Sequence, residues 1–167
     1  MSQNHLTDFL VELSREEVKF IICGGVAAVL HGVERMTLDL DISIDMEMAN
    51  VLKFLSVVNR LQLVPRAPIP GETLLDPEKV RVLIQEKNAR VFTFTDNEKP
   101  WRQIDVFLTD DHAYHRILSD TMIMEIGGYK MLIVTKERLI QMKKAVKPVR
   151  EKDIHDIQVL TRLQDKK

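Results

Sequence analysis

Asp39 and Asp41 are the first residues whose type and spacing suggest chemistry. They stand two apart in Leu38-Asp39-Leu40-Asp41-Ile42-Ser43-Ile44-Asp45, a segment that alternates apolar and polar side chains without a break. That period predicts a strand with Leu38, Leu40, Ile42 and Ile44 on a buried face, so the two carboxylates project from the other. Carboxylates held this close repel one another unless a cation or a shared proton intervenes. Hard oxygen donors of this kind suit Mg²⁺, which takes one or two protein carboxylates together with substrate phosphate oxygens. An isolated Asp-x-Asp is ordinarily the solvated face of an edge strand, so its surroundings decide. Calcium is the weaker choice, because the segment lacks the glycine and the terminal glutamate of an EF-hand loop.

Upstream, Gly24-Gly25 stands between the apolar run Lys19–Ile22 and a short helical stretch, Val26–His31. Bare backbone N–H groups at such a turn can receive a phosphate, although a Gly-Gly pair is more often just a tight turn. Arg35 and Thr37 precede the carboxylates and can offer a charged fork and a hydroxyl to phosphate oxygens. Downstream, Gln103–Leu108 places Asp105 between Ile104 and Val106, so its carboxylate points away from the face those two bury. If this strand lies beside the first, Asp105 completes a three-carboxylate cluster able to hold Mg²⁺ and to accept a proton from an attacking hydroxyl.

The elements that must position these groups are partly legible. Leu6, Phe9, Leu10 and Leu13 predict a first helix, Lys19–Ile22 a buried strand, and 48–61 a helix. The stretch Pro65–Pro77, with four prolines and a glycine, predicts a loop. Strands are expected at Val80–Ile84, Arg90–Thr95 and Gln103–Leu108, and a hairpin at Thr121–Ile126 and Tyr129–Val134 about Gly127-Gly128. Thr135–Ala145 reads as a helix. Pro148 is placed to open a last one, with Ile154, Ile157 and Leu160 on one side. The order predicts a mixed α/β (α+β) domain spanning 1–167, with a core over about 18–134 and a helical C-terminal portion over about 135–167.

Composition sets outer bounds. With 167 residues, 45% of them apolar, the chain is sized for one packed core. The balance of 24 Lys plus Arg against 25 Asp plus Glu excludes a protein that coats nucleic acid by bulk charge. Locally the charges segregate: Asp39, Asp41, Asp45 and Glu47 crowd one segment, and basic residues from Lys136 to Lys152 crowd another. The single cysteine, Cys23, excludes an internal disulfide and is expected to be packed. His112 and His115 are three apart but have no metal-binding partner motif. No apolar run is long enough to span a membrane, and the acidic N-terminal stretch does not read as a signal peptide, so a cytoplasmic location is expected.

The segment Phe20-Ile-Ile-Cys-Gly24-Gly25-Val-Ala-Ala-Val-Leu-His31-Gly32-Val-Glu-Arg35-Met-Thr37-Leu-Asp39-Leu-Asp41 resembles the opening motif of the nucleotidyltransferase superfamily. Within it, the match is to the abortive-infection and toxin–antitoxin (AbiEii-like) type. Asp105 matches the third acid of that group. Leu139–Lys143 and Arg150–Asp156 resemble its helical lysine and Lys-Asp motifs. The resemblance implies a nucleotidyltransferase fold, a short mixed twisted sheet flanked by helices. It implies Mg²⁺-dependent transfer of a nucleoside monophosphate (NMP) from a nucleoside triphosphate (NTP) to an acceptor hydroxyl. Asp39, Asp41 and Asp105 would be metal-binding and catalytic. Gly24, Gly25, Arg35, Thr37 and one of Lys143 or Lys152 would bind nucleotide. RNA, a protein or a small molecule would be the acceptor, with a cognate antitoxin as a candidate partner. Two other classes stand beside it: an inert nucleotide- or partner-binding module of the same fold, and a small Asp-x-Asp glycosyltransferase.

Overall fold

The computed structural model describes residues 4–165. Helix α1 (Asn4–Arg15) buries the expected stripe of Phe9, Leu10 and Leu13. Strand β1 (Phe20–Cys23) is buried throughout, and α2 (Gly24–Leu30) follows at once, so the two glycines are the helix's first residues and not a turn ahead of it. Strand β2 (Asp39–Ile44) and helix α3 (Met48–Arg60) come next. After them lie the two-residue strand β3 (Val64–Pro65) and helix α4 (Pro77–Glu86). Strands β4 (Val91–Thr95) and β5 (Gln103–Phe107) precede a short helix α5 (Tyr114–Ile117). Strands β6 (Thr121–Ile126) and β7 (Tyr129–Val134) form the hairpin, and helices α6 (Lys136–Lys144) and α7 (Glu151–Gln164) close the chain.

All seven strands join one sheet in the order β3-β4-β5-β2-β1-β7-β6. Pairing is mixed: β1 with β7 and β2 with β5 are parallel, the others antiparallel. Leu40, Ile42, Ile104 and Val106 point from the two central strands into the core and are fully buried. On the core side Phe54 of α3 meets Phe94 of β4 edge to face at 5.4 Å. Cys23 is buried in this core, and burial pushes its thiol far above the ordinary range, so it is packed and not a nucleophile. No helix among the described residues is long and apolar enough to cross a membrane.

Four local expectations are corrected. Residues 80–84, read as a strand, lie inside α4. Asp76 caps that helix by accepting from the Glu78 and Lys79 backbone N–H groups, and Pro77 opens it, so the start signals outweigh the β-branched composition. The 65–77 stretch is not all loop: a short 3₁₀ helix at Gly71–Leu75 buries Leu74. Leu38 precedes β2 and is exposed, whereas Ser43 and Asp45 on the polar side are buried. Their polar atoms are matched, with the Ser43 hydroxyl donating to the His112 carbonyl at 2.6 Å and Asp45 accepting from the Glu47 N–H at 3.0 Å. Finally, α7 starts at Glu151, later than Pro148 predicts, and it turns Asp153, Asp156 and Leu160 inward while Ile154 faces out. An inward acid is tolerated because a cation meets it there.

Candidate active site

Strand register assembles the acids. In the parallel pair β2–β5, Asp41 stands opposite Asp105 and Asp39 opposite Gln103. With side chains alternating across the sheet, Asp39, Asp41, Gln103 and Asp105 share the face opposite the core. Asp105 is held by its neighbours: Oδ1 accepts from the Thr93 hydroxyl at 2.6 Å, and Gln103 Nε2 donates to both carboxylate oxygens at 3.2 and 3.0 Å. Gln103 in turn accepts from the Arg66 guanidinium.

The glycines leave room for this platform. A Cβ at Gly24 would lie 2.0 Å from Asp41 Oδ2, and its φ of +61° is one that L side chains rarely adopt. A Cβ at Gly25 would fall 2.7 Å from Thr37 Oγ1 and 2.8 Å from Arg35 Nη2. Gly24, Gly25, Arg35, Thr37 and Asp41 are therefore one packed unit.

The acids repel, as carboxylates held this close do. Burial, then the charge of Asp105 and a hydrogen bond shared with it, push the Asp41 carboxyl up to about 7. Burial and the Asp105 charge also raise Asp39, opposed by Lys152, Arg66 and His5.

Two of the expected phosphate-binding cations are already engaged. Arg35 forks onto Asp156 (Nε–Oδ1 2.8 Å, Nη2–Oδ2 2.9 Å), and Lys143 Nζ lies 2.8 Å from Asp156 and 3.5 Å from Asp153. Arg150 Nε closes the group on Asp153 at 2.6 Å. Burial works to raise Asp153 and Asp156, yet the hydrogen bonds and charges of these cations hold both below the ordinary carboxylate range. Lys152, by contrast, is exposed.

Between the sheet face and α6 lies a cleft of about 300 Å³ lined by Gly24, Asp41, Asp105, Lys143, Arg150 and Asp153. Arg90, Phe107, His112 and Met142 line it as well, with the Phe107 and His112 rings stacked at 4.6 Å. Sequence reading missed Arg66, Arg90, Thr93, Gln103 and His112. The i, i+2 spacing of Gln103 and Asp105 is a signal for Gln103; the others come to the site only by strand pairing and chain return.

No group of three or more His, Cys, Asp or Glu side chains among the described residues is arranged to hold a metal ion. The donor set is the opposed pair Asp41 and Asp105, with Asp39 beside it. That number suits Mg²⁺, whose remaining positions go to phosphate and water oxygens.

The fold has solved counterparts. The lincomycin-bound lincosamide antibiotic adenylyltransferase LnuA superposes with a TM-score of 0.63 over 96% of each chain, at 16% sequence identity. The antibiotic-resistance factor ANT(2'')-Ia superposes with a TM-score of 0.60 over 95% of this chain and 82% of its own, at 14% identity. The chain shares their fold. No protein-family model matches the sequence, and no curated protein does.

Proposed function

We infer that this protein transfers a nucleoside monophosphate from an NTP to a hydroxyl of a small-molecule acceptor. The observation that carries the reading is the register of Asp41 against Asp105 beside a glycine that only a bare backbone can occupy. Mg²⁺ held by Asp41 and Asp105, with Asp39 alongside, would supply charge neutralisation to the triphosphate. Asp105, oriented by Thr93 and Gln103, takes the proton of the acceptor hydroxyl. The acceptor oxygen bonds to the α-phosphorus, the bond from that phosphorus to the β-bridging oxygen breaks, and pyrophosphate leaves. Gly24 and Gly25 border the triphosphate tail, and Thr37 stands beside them. Of the two lysines, exposed Lys152, whose charge already reaches Asp39, is assigned to phosphate. Lys143 and Arg35 hold the surrounding elements through Asp153 and Asp156.

Incubation with each α-labelled NTP, Mg²⁺, and pools of small alcohols, RNA and protein tests the reading. Label is expected in the small-alcohol pool, with Asp105→Asn slowing transfer by about 10²–10⁴-fold. Transfer at the wild-type rate in Asp105→Asn would sink the assignment of the base. A second reading rests on the opening motif: a toxin-type enzyme acting on RNA or protein, neutralised by an antitoxin. Label in those pools favours it. Nucleotide binding without pyrophosphate release favours an inert module, and stabilisation by a UDP-sugar but by no NTP favours a glycosyltransferase.

A further inference from the structure

The edge of the sheet nearest Asp105 is only partly covered. Strand β3 pairs with β4 at Phe94 and Thr95, and the Arg66 N–H donates to the Thr93 carbonyl at 3.0 Å. Beyond Thr93, toward Val91, β4 has no strand partner on that side among the described residues. A cavity of about 370 Å³ opens there, between β4, the chain after β3 and the end of α4. Ile69, Leu83, Ala89 and Val91 make its walls apolar. A volume of this size with apolar walls and a few polar groups suits a small ligand and not a macromolecule.

Three of the residues lining the cavity are polar, Arg66, Lys87 and Thr93, and none is acidic. Two of the three connect directly to the carboxylate platform. The Thr93 hydroxyl donates to Asp105 at 2.6 Å, and Arg66 donates to Gln103, whose amide donates to Asp105. The charge of Arg66 also reaches Asp39. A molecule seated in the cavity thus meets, at its inner end, the residues that orient the proposed base.

We propose that this cavity is the acceptor subsite, and that the acceptor is a small alcohol with an apolar body carrying a negative charge. The proposal rests on the transfer reading above and adds to it the place and chemistry of the acceptor. The apolar body fills the space between Ile69, Leu83 and Ala89. The anionic group pairs with Lys87 or Arg66 at the wall. The hydroxyl reaches past Thr93 to Asp105, loses its proton there, and takes the NMP group as pyrophosphate leaves. Cationic alcohols of the same size are disfavoured, because they would bring a third positive charge beside Arg66 and Lys87 in a cavity with no acidic lining residue.

The test uses the full chain and two aryl alcohols of one size, para-hydroxymethyl benzoate and para-aminomethyl benzyl alcohol. Amide-shift mapping by NMR is expected to place the benzoate at Ala89 and Thr93 and to show the amine binding more weakly. Ala89→Phe, which fills the cavity, is expected to weaken benzoate binding and NMP transfer to it by about tenfold or more. Lys87→Glu changes only an exposed side chain and is expected to reverse the order of the two probes. Benzoate binding that is the same in both variants as in wild type overturns the proposal, and so does a shift map lying elsewhere on the sheet. These outcomes leave the transfer reading intact. Benzoate binding at Ala89 with no pyrophosphate release from any NTP refutes the transfer reading and with it the acceptor role.

Discussion

Asp41→Asn separates charge from shape at the centre of the site. The wild-type carboxyl is pushed from 3.8 to about 7 by burial and then by Asp105, so the folded chain holds this proton more tightly than the unfolded chain. The sign follows: the associated stability is present in full below about pH 4 and is lost as pH rises toward 7. At 1.36 kcal/mol per pH unit, that interval amounts to about 4 kcal/mol, and water entering the open cleft reduces it to roughly 2–4 kcal/mol. Asparagine keeps the shape and never ionises. At about pH 8 the variant should therefore melt higher than wild type by about 5–10 °C for a domain of this size. Near pH 4 the two should nearly coincide. Asp153 and Asp156 lose their contributions as the pH falls below that point, but equally in both proteins, so they cancel in the difference. Calorimetry across this range, repeated with millimolar MgCl₂, is the assay. Magnesium should raise the wild-type melting point at pH 8 and do little for the variant. Parallel melting curves at every pH, with the variant the less stable throughout, would refute the claim that Asp41 is strained by its neighbours.

Two other perturbations act on the frame around the acids. Gly24→Ala must hold a positive φ and place a methyl group 2.0 Å from Asp41 Oδ2. It should cost about 1–2 kcal/mol from the backbone alone. Activity should fall far more than stability, measured as pyrophosphate release beside chemical denaturation. Asp156→Ala strips a buried carboxylate from Arg35 and Lys143. Breaking a buried pair costs about 3–5 kcal/mol, and because Lys143 keeps Asp153, a loss of about 3 kcal/mol is expected by urea unfolding. A loss below about 1 kcal/mol would mean the cluster is solvated.

Much of the carboxylate face could be read from the chain because its signals are local. Alternation in β2 and the Ile104-Asp105-Val106 pattern show which way each acid points, and register then needs only to bring the two strands side by side. What escaped is what depends on distant partners. The sequence pattern puts Ile154 on the inward face of α7, yet Asp153 and Asp156 turn in because Arg35, Lys143 and Arg150 neutralise them, and no window along α7 contains Arg35. Thr93 and Arg66 joined the site through strand pairing that neither neighbourhood announces. Residues 80–84 differ for the opposite reason: the helix start signals at Asp76 and Pro77 are local, and they outweigh the β-branched composition that follows.

The fork from Arg35 to Asp156 spans 121 positions along the chain. At ribosomal speeds of about 5–20 residues per second, the arginine waits on the order of ten seconds for the aspartate that will receive it. During that interval the loop leading into the Asp39–Asp41 strand lacks its tether, and Gly25 has no fixed guanidinium to pack against. The nascent protein is thus built with its acids early and their brace late, so its site reaches its final form only once α7 has left the ribosome.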